Sequence, residues 1–104
     1  MNHASLSQVV VSHEGDRLYS FEYAAVLTET STIVVERFVA LGLIEPIGSM
    51  LRPSDITRIT QIQRLRQDLG LNLVGAAMVL DMAQEIAQLR AQLNAYREGV
   101  RSEE

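Results

Sequence analysis

The 104-residue sequence predicts a mainly α-helical protein, with a short N-terminal hairpin, small helices around one modest core and a long C-terminal coiled-coil helix. Three observations predict it. Apolar residues recur at helical spacing over most of the chain, and a short β-branched run, Val9-Val10-Val11, stands near the start. The apolar fraction is 47% with aromatics at only 5%, so the core must be aliphatic, which suits helix packing. Finally, Val79, Met82, Ile86, Leu89, Leu93 and Tyr96 fall at steps of three, four, three, four and three. That heptad seam is narrower than a core-facing stripe and calls for a partner helix. The length suits one domain. Residues 1–70 are expected to form the body with its strands, and residues 71–104 the coiled-coil helix and tail, as one structural unit.

Taken in order, Val9 to Val11, the turn His13-Glu14-Gly15-Asp16 and Arg17-Leu18-Tyr19 read as a hairpin that needs helices to pack on. Ser20 is an N-cap for a short helix over Phe21 to Leu27, with Phe21, Ala24, Ala25 and Leu27 expected on its buried side. Ser31 caps a second helix through about Leu41, which Gly42 ends, and Val34, Phe38 and Leu41 are expected to face the core. The opposite face would then present Thr32, Val35, Glu36 and Val39. Ile47-Gly48-Ser49-Met50 reads as a minimal turn. Pro53-Ser54-Asp55 opens a third helix, with proline and aspartate in favoured first-turn places, and its aliphatic residues run along one side through Leu69. Gly70 closes it and Asn72 caps the last helix. From Leu73 to about Ala87 that helix carries two apolar faces, Leu73, Ala77 and Leu80 against Val79, Met82 and Ile86. Beyond Ala87 only the seam remains.

Composition and charge narrow the function classes. Cysteine is absent, so disulfides and thiolate metal sites are excluded. The N-terminal residues lack the pattern of a signal peptide, and no apolar run approaches the roughly 20 residues of a membrane span, so a cytoplasmic protein is expected. The net charge of −4 is uneven. Residues 1–50 carry Arg17 and Arg37 against six carboxylates, whereas residues 51–70 carry four arginines against Asp55 and Asp68. A protein that lives on phosphate contacts needs cations clustered on one face, and the N-terminal half has the wrong sign.

The chemistry-bearing residues do not assemble into a catalytic pattern. His3 and His13 have no second ligand at helical spacing. Ser20, Ser31 and Ser54 are accounted for as caps, and neither a nucleophile elbow nor a glycine-rich phosphate loop occurs. No enzyme activity, metal or cofactor is expected. Met78 and Met82 are read as packing residues.

The order of elements, with Val35 to Pro46 (VERFVALGLIEP), Arg52-Pro53-Ser54-Asp55-Ile56 and the stretch Ile62 to Leu73, resembles the MerR-type winged helix-turn-helix over about residues 18 to 96. The wing, however, is reduced to Ile47 through Leu51. DNA-binding members carry a segment like T-I-R-Y-Y-E-R before the L-G-L. Here Glu36 stands where the phosphate-contacting arginine is expected, Ala40 replaces the later arginine, and the wing leaves only Arg52. Gly42-Leu43-Ile44-Glu45-Pro46, Arg64 to Leu69 and Leu71 to Gly75 are similar to the chaperone-modulator, CbpM-type branch. Asn72-Leu73, where members often have Asp-Trp, and the N-terminal segment depart from it.

The resemblance implies a modulator that binds and inhibits the J-domain of a DnaJ-like, CbpA-type co-chaperone. A J-domain meets its chaperone through a basic helical face, so a modulator competes by offering acidic residues with apolar neighbours. Glu29, Glu36, Val39 and Glu45 are the candidate partner-binding residues. Val79, Met82, Ile86, Leu89, Leu93 and Tyr96 are the candidate homodimer residues. The alternative is a MerR-like DNA-binding transcriptional regulator, against which the residues of the second helix and the wing argue. A third possibility is a dimerisation module of unspecified partner.

Overall fold

The computed structural model describes residues 9–11 and 17–103. Strand β1 (Val9–Val11) pairs antiparallel with β2 (Arg17–Ser20), so that Val10 faces Leu18 across the ladder. The expected hairpin is present, while its turn at residues 13–16 lies outside the described residues. Strand β3 (Met50–Leu51) adds itself to the other edge of β2, making a three-stranded sheet in the order β1-β2-β3. The sequence reading did not foresee that third strand, because two residues are too short to show a period of two. Ile47 and Met50 exchange backbone hydrogen bonds of 2.9 and 3.0 Å around Gly48, whose φ is +62°. This tight loop is the reduced wing.

Helices α1 (Phe21–Leu27) and α2 (Thr32–Ala40) follow, then α3 (Pro53–Leu69) and α4 (Leu73–Glu103). Their ends carry the predicted chemistry. The Ser20 hydroxyl accepts from the Tyr23 N–H at 3.1 Å, Ser31 from Val34 at 3.3 Å and the Asn72 side chain from Gly75 at 2.7 Å. At the head of α3 the Asp55 carboxylate accepts from the Arg52 N–H at 2.9 Å, with Pro53 just behind. Gly70 ends α3 in the left-handed conformation at φ +67°, which glycine adopts without a Cβ clash. There the chain bends by 108° into α4.

The core draws on all four helices, with Leu51 of β3 and Ile44 of the segment before it. Val35, Phe38, Leu51, Ile59 and Ile62 are fully buried, with Ala24, Ala25, Ile44, Ala76, Ala77 and Leu80 around them. Five expectations are corrected by this packing. Val35 is core, not outer surface, and Leu41 is exposed. The buried arc of α2 is centred on Val35 and Phe38, and Leu41 is already the C-cap, past the last helical residue. Leu27 and Leu69, the last residues of their helices, are likewise exposed, because each lies where the chain turns away from the body. In α4 the body-facing side ends at Leu80 instead of near Ala87, since the small core offers nothing further to cover. At about 1.5 Å per residue the 31-residue α4 is about 46 Å long, so most of it projects. No single described helix is long and apolar enough to cross a membrane.

The phase of α2 can be measured directly. Phe38→Ala should destabilise the fold by about 3–5 kcal/mol in chemical denaturation, the range for emptying a buried aromatic site. Ile33→Ala on the same helix should stay within about 0.5 kcal/mol of wild type, as expected for an exposed position. A reversed ranking would show that α2 is turned the other way.

Candidate functional site

Two surfaces are built by this arrangement: the outer face of the α1–α2 pair and the projecting seam of α4. The α1–α2 turn is held by hydroxyls. Thr28 donates its Oγ1–H to the Ala24 carbonyl at 2.8 Å, its oxygen lies 2.8 Å from that of Thr30, and the Thr30 N–H reaches the Ala25 carbonyl at 2.9 Å. Between them Glu29 is set at φ +56°, a left-handed conformation that a residue with a Cβ occupies only at a cost of about 1–2 kcal/mol. The surrounding hydrogen bonds hold it there, exposed at the tip of the turn.

With Val35 and Phe38 inward, the outer stripe of α2 is Ile33, Glu36, Arg37 and Ala40, at i, i+3, i+4 and i+7. Ile33 is 77% exposed, the most exposed large apolar side chain of the described residues. Of the four candidate partner-binding residues, Glu29, Glu36 and Glu45 are exposed, whereas Val39 is half-buried and packs against the core. Glu36 lies on the outer stripe, with Glu29 before α2 and Glu45 on the segment after it. The sequence reading missed Ile33. The signal was available, since Ile33 shares its stripe with Glu36, but it is legible only once the inward side of α2 is known.

The cations behind this face are largely engaged. Arg52 donates to the Glu45 carbonyl at 2.9 Å and lies 3.5 Å from the Asp55 carboxylate. Arg58 donates through Nε to the Leu43 carbonyl at 2.6 Å, and through its two terminal nitrogens to the Asp81 carboxylate at 2.6 and 3.2 Å. Arg66 donates through Nε to Gln63 at 3.0 Å. Of the four arginines that make residues 51–70 basic, Arg64 alone has no side-chain hydrogen bond or ion pair among the described residues. The Arg58 hydrogen bond holds the Asp81 carboxyl below the usual aspartate range. Among the described residues no three His, Cys, Asp or Glu side chains are grouped to hold a metal, and His3 and His13 lie outside them.

The seam is the second surface. Val79 is half-buried at the edge of the body, and Met82, Ile86, Leu89, Leu93 and Tyr96 are all exposed, Tyr96 at 70%. Val100 extends the same heptad by one further step. A contiguous exposed apolar stripe on a projecting helix has the form of an interaction surface.

A helix pair with a hydroxyl-built turn, a β-turn wing, a third helix and a projecting fourth give the chain a recognisable plan. Residues 23–98 match the family model described as MerR HTH family regulatory protein. The chain belongs to the MerR helix-turn-helix family. One similar protein is "Putative heat shock protein HspR" of Streptomyces coelicolor, 29% identical over 83 residues, a match that covers 75% of this chain. The chain spans about half the length of that relative, 55% of it. No solved structure matches the chain significantly. Regulatory membership of the family is therefore shown, and the expectation from the sequence holds at that level.

Two measurements probe these surfaces. Because the folded-state pKa of Asp81 is lowered, its ion pair stabilises fully above the ordinary aspartate range and is lost as pH falls through that lowered value. Asp81→Asn should lower the melting temperature slightly at neutral pH and make its decline on acidification shallower. The effect should be small, since the Asp81 side chain is 56% exposed and surface pairs contribute at most about 1 kcal/mol. For the seam, sedimentation should show a wild-type dimer, and Leu89→Glu with Leu93→Glu should convert it to monomer with unchanged helix content. A monomeric wild type would remove self-association as the role of the seam.

Proposed function

We propose that the protein is a chaperone modulator that binds the J-domain of a DnaJ-like, CbpA-type co-chaperone and inhibits it. It works in the cytoplasm as a homodimer joined through α4, with α1 and α2 as the recognition surface. The observation that carries this reading is the composition of the α2 outer stripe. Ile33 and Ala40 supply apolar contact, Glu36 stands between them, and exposed Glu29 and Glu45 lie on the flanking segments. Such a surface complements a basic amphipathic helix, where charge sets orientation and rate and the apolar contact supplies affinity. The engagement of Arg52 and Arg58 with carbonyl and carboxylate partners works against a phosphate-tracking face. The similarity to a protein named for heat shock supports a chaperone-linked role.

A second reading is a DNA-binding transcriptional regulator. It is favoured by the family match and by Arg37, exposed on the same stripe. The two readings differ in partner.

Calorimetric titration of the J-domain should give saturable binding that weakens as salt rises. Glu36→Arg should weaken it by about tenfold or more, the scale expected when a favourable charge contact becomes a repulsive one. A folded wild type that ignores the J-domain at tens of micromolar, yet binds duplex DNA at low salt, would replace this reading with the second.

A further inference from the structure

We propose that the groove between α2, α3 and the head of α4 is a binding site for a small phosphate-type dianion. Val34 and Arg37 of α2, Gln63 and Arg66 of α3, and Asn72 and Leu73 at the start of α4 line a groove of about 250 Å³. The residues come from three separate elements, so the tertiary fold alone creates it.

Charge is the first reason. Two arginines line one recess whose lining contains no carboxylate. The ion pairs of the described residues use Arg52 and Arg58, which leaves both Arg37 and Arg66 without a carboxylate partner there. Two like charges in one recess repel, and an anion between them relieves that repulsion.

Orientation is the second. The Arg66 Nε donates to Gln63 Oε1 at 3.0 Å, which fixes the plane of the guanidinium and leaves its two terminal nitrogens as donors. The Asn72 oxygen is occupied by the Gly75 N–H at 2.7 Å, so its amide nitrogen remains a donor at the rim. Val34 and Leu73 are half-buried apolar walls beside these donors, where displaced water strengthens a charge-assisted hydrogen bond. The positive end of α4 adds a field of the same sign.

The charge and donor geometry select the ligand class. Two guanidiniums match a dianion, and their forked donors fit the oxygens of a phosphate group better than a lone carboxylate, which would leave one positive charge unmatched. The ligand is inorganic phosphate or a small phosphate monoester. Of the outer stripe of α2 the site uses only Arg37, and it does not depend on the J-domain reading.

Inorganic phosphate is the probe, titrated into the full chain at constant ionic strength against chloride. Backbone and arginine side-chain N–H resonances are followed by NMR. Saturable shifts are expected at Asn72 to Gly75 and at the Arg66 Nε–H, and replacement of phosphate by a phosphate monoester should reproduce them. Arg37→Gln and Arg66→Gln should each weaken binding by about tenfold, the scale of one lost charge-assisted contact. Arg90→Gln, which removes a cation from the projecting helix, should leave it unchanged. Circular dichroism establishes that each variant is folded, and Arg66→Lys should restore part of the affinity. Shifts that match those from chloride, or saturable binding that survives in the double variant R37Q/R66Q, would overturn the proposal. Displacement of phosphate by micromolar duplex DNA would also overturn it, by assigning these arginines to a nucleic-acid backbone.

Discussion

The corner between α3 and α4 is the constraint from which the other features follow. Gly70 supplies the left-handed turn, and the chain bends by 108°. Ala76 and Ala77 have side chains small enough to bring α4 close to the body, and Leu80 completes the contact. Arg58 then seals the corner from outside, binding the Leu43 carbonyl on the segment after α2 and the Asp81 carboxylate on α4. One α3 side chain thus connects the helix-turn-helix to the base of the projecting helix. The contact ends at Leu80, and everything beyond it is left to solvent or to another chain.

That corner also explains why part of the positive charge of an arginine-rich segment is engaged within the fold. Residues 51–70 are basic in sequence, but two of their four arginines, Arg52 and Arg58, hold the segment after α2 and the base of α4 in place. The planar guanidinium suits this work because it can donate to a carbonyl and a carboxylate at once, as Arg58 does. A charge used in this way is partly neutralised by its partners and contributes little to a long-range field. The acidic residues of the outer α2 region, by contrast, remain exposed. The electrostatic character of the domain is set by which charges the fold engages, more than by how many the sequence contains.

In the proposed reading the two surfaces divide the work of recognition and assembly. The α1–α2 face is small, and the hydroxyl-built turn and the strained Glu29 hold it rigidly. The seam is long and apolar, with polar residues beside it. A rigid patch that recognises and a long stripe that associates need different physics: fixed charges for the first, buried area for the second. The groove of Arg37 and Arg66 lies at the junction of the two, close to the same corner.

The sequence by itself determined the local elements, because caps, glycines and periodicity act over a few residues. Ser20, Ser31, Pro53, Gly70 and Asn72 placed the helix boundaries, and the heptad seam announced a helix that projects. The family plan was legible in the segments around Gly42 to Pro46 and Ile62 to Leu73. The tertiary structure decided which side of each helix faces inward. The exposure of Leu27, Leu41 and Leu69, the burial of Val35 and the early end of the α4 contact all depend on where neighbouring elements lie. It also decided which cations are free and brought Arg37 beside Arg66. Pairing of charges and convergence on a groove are relations between residues far apart in the chain, and no local pattern encodes them.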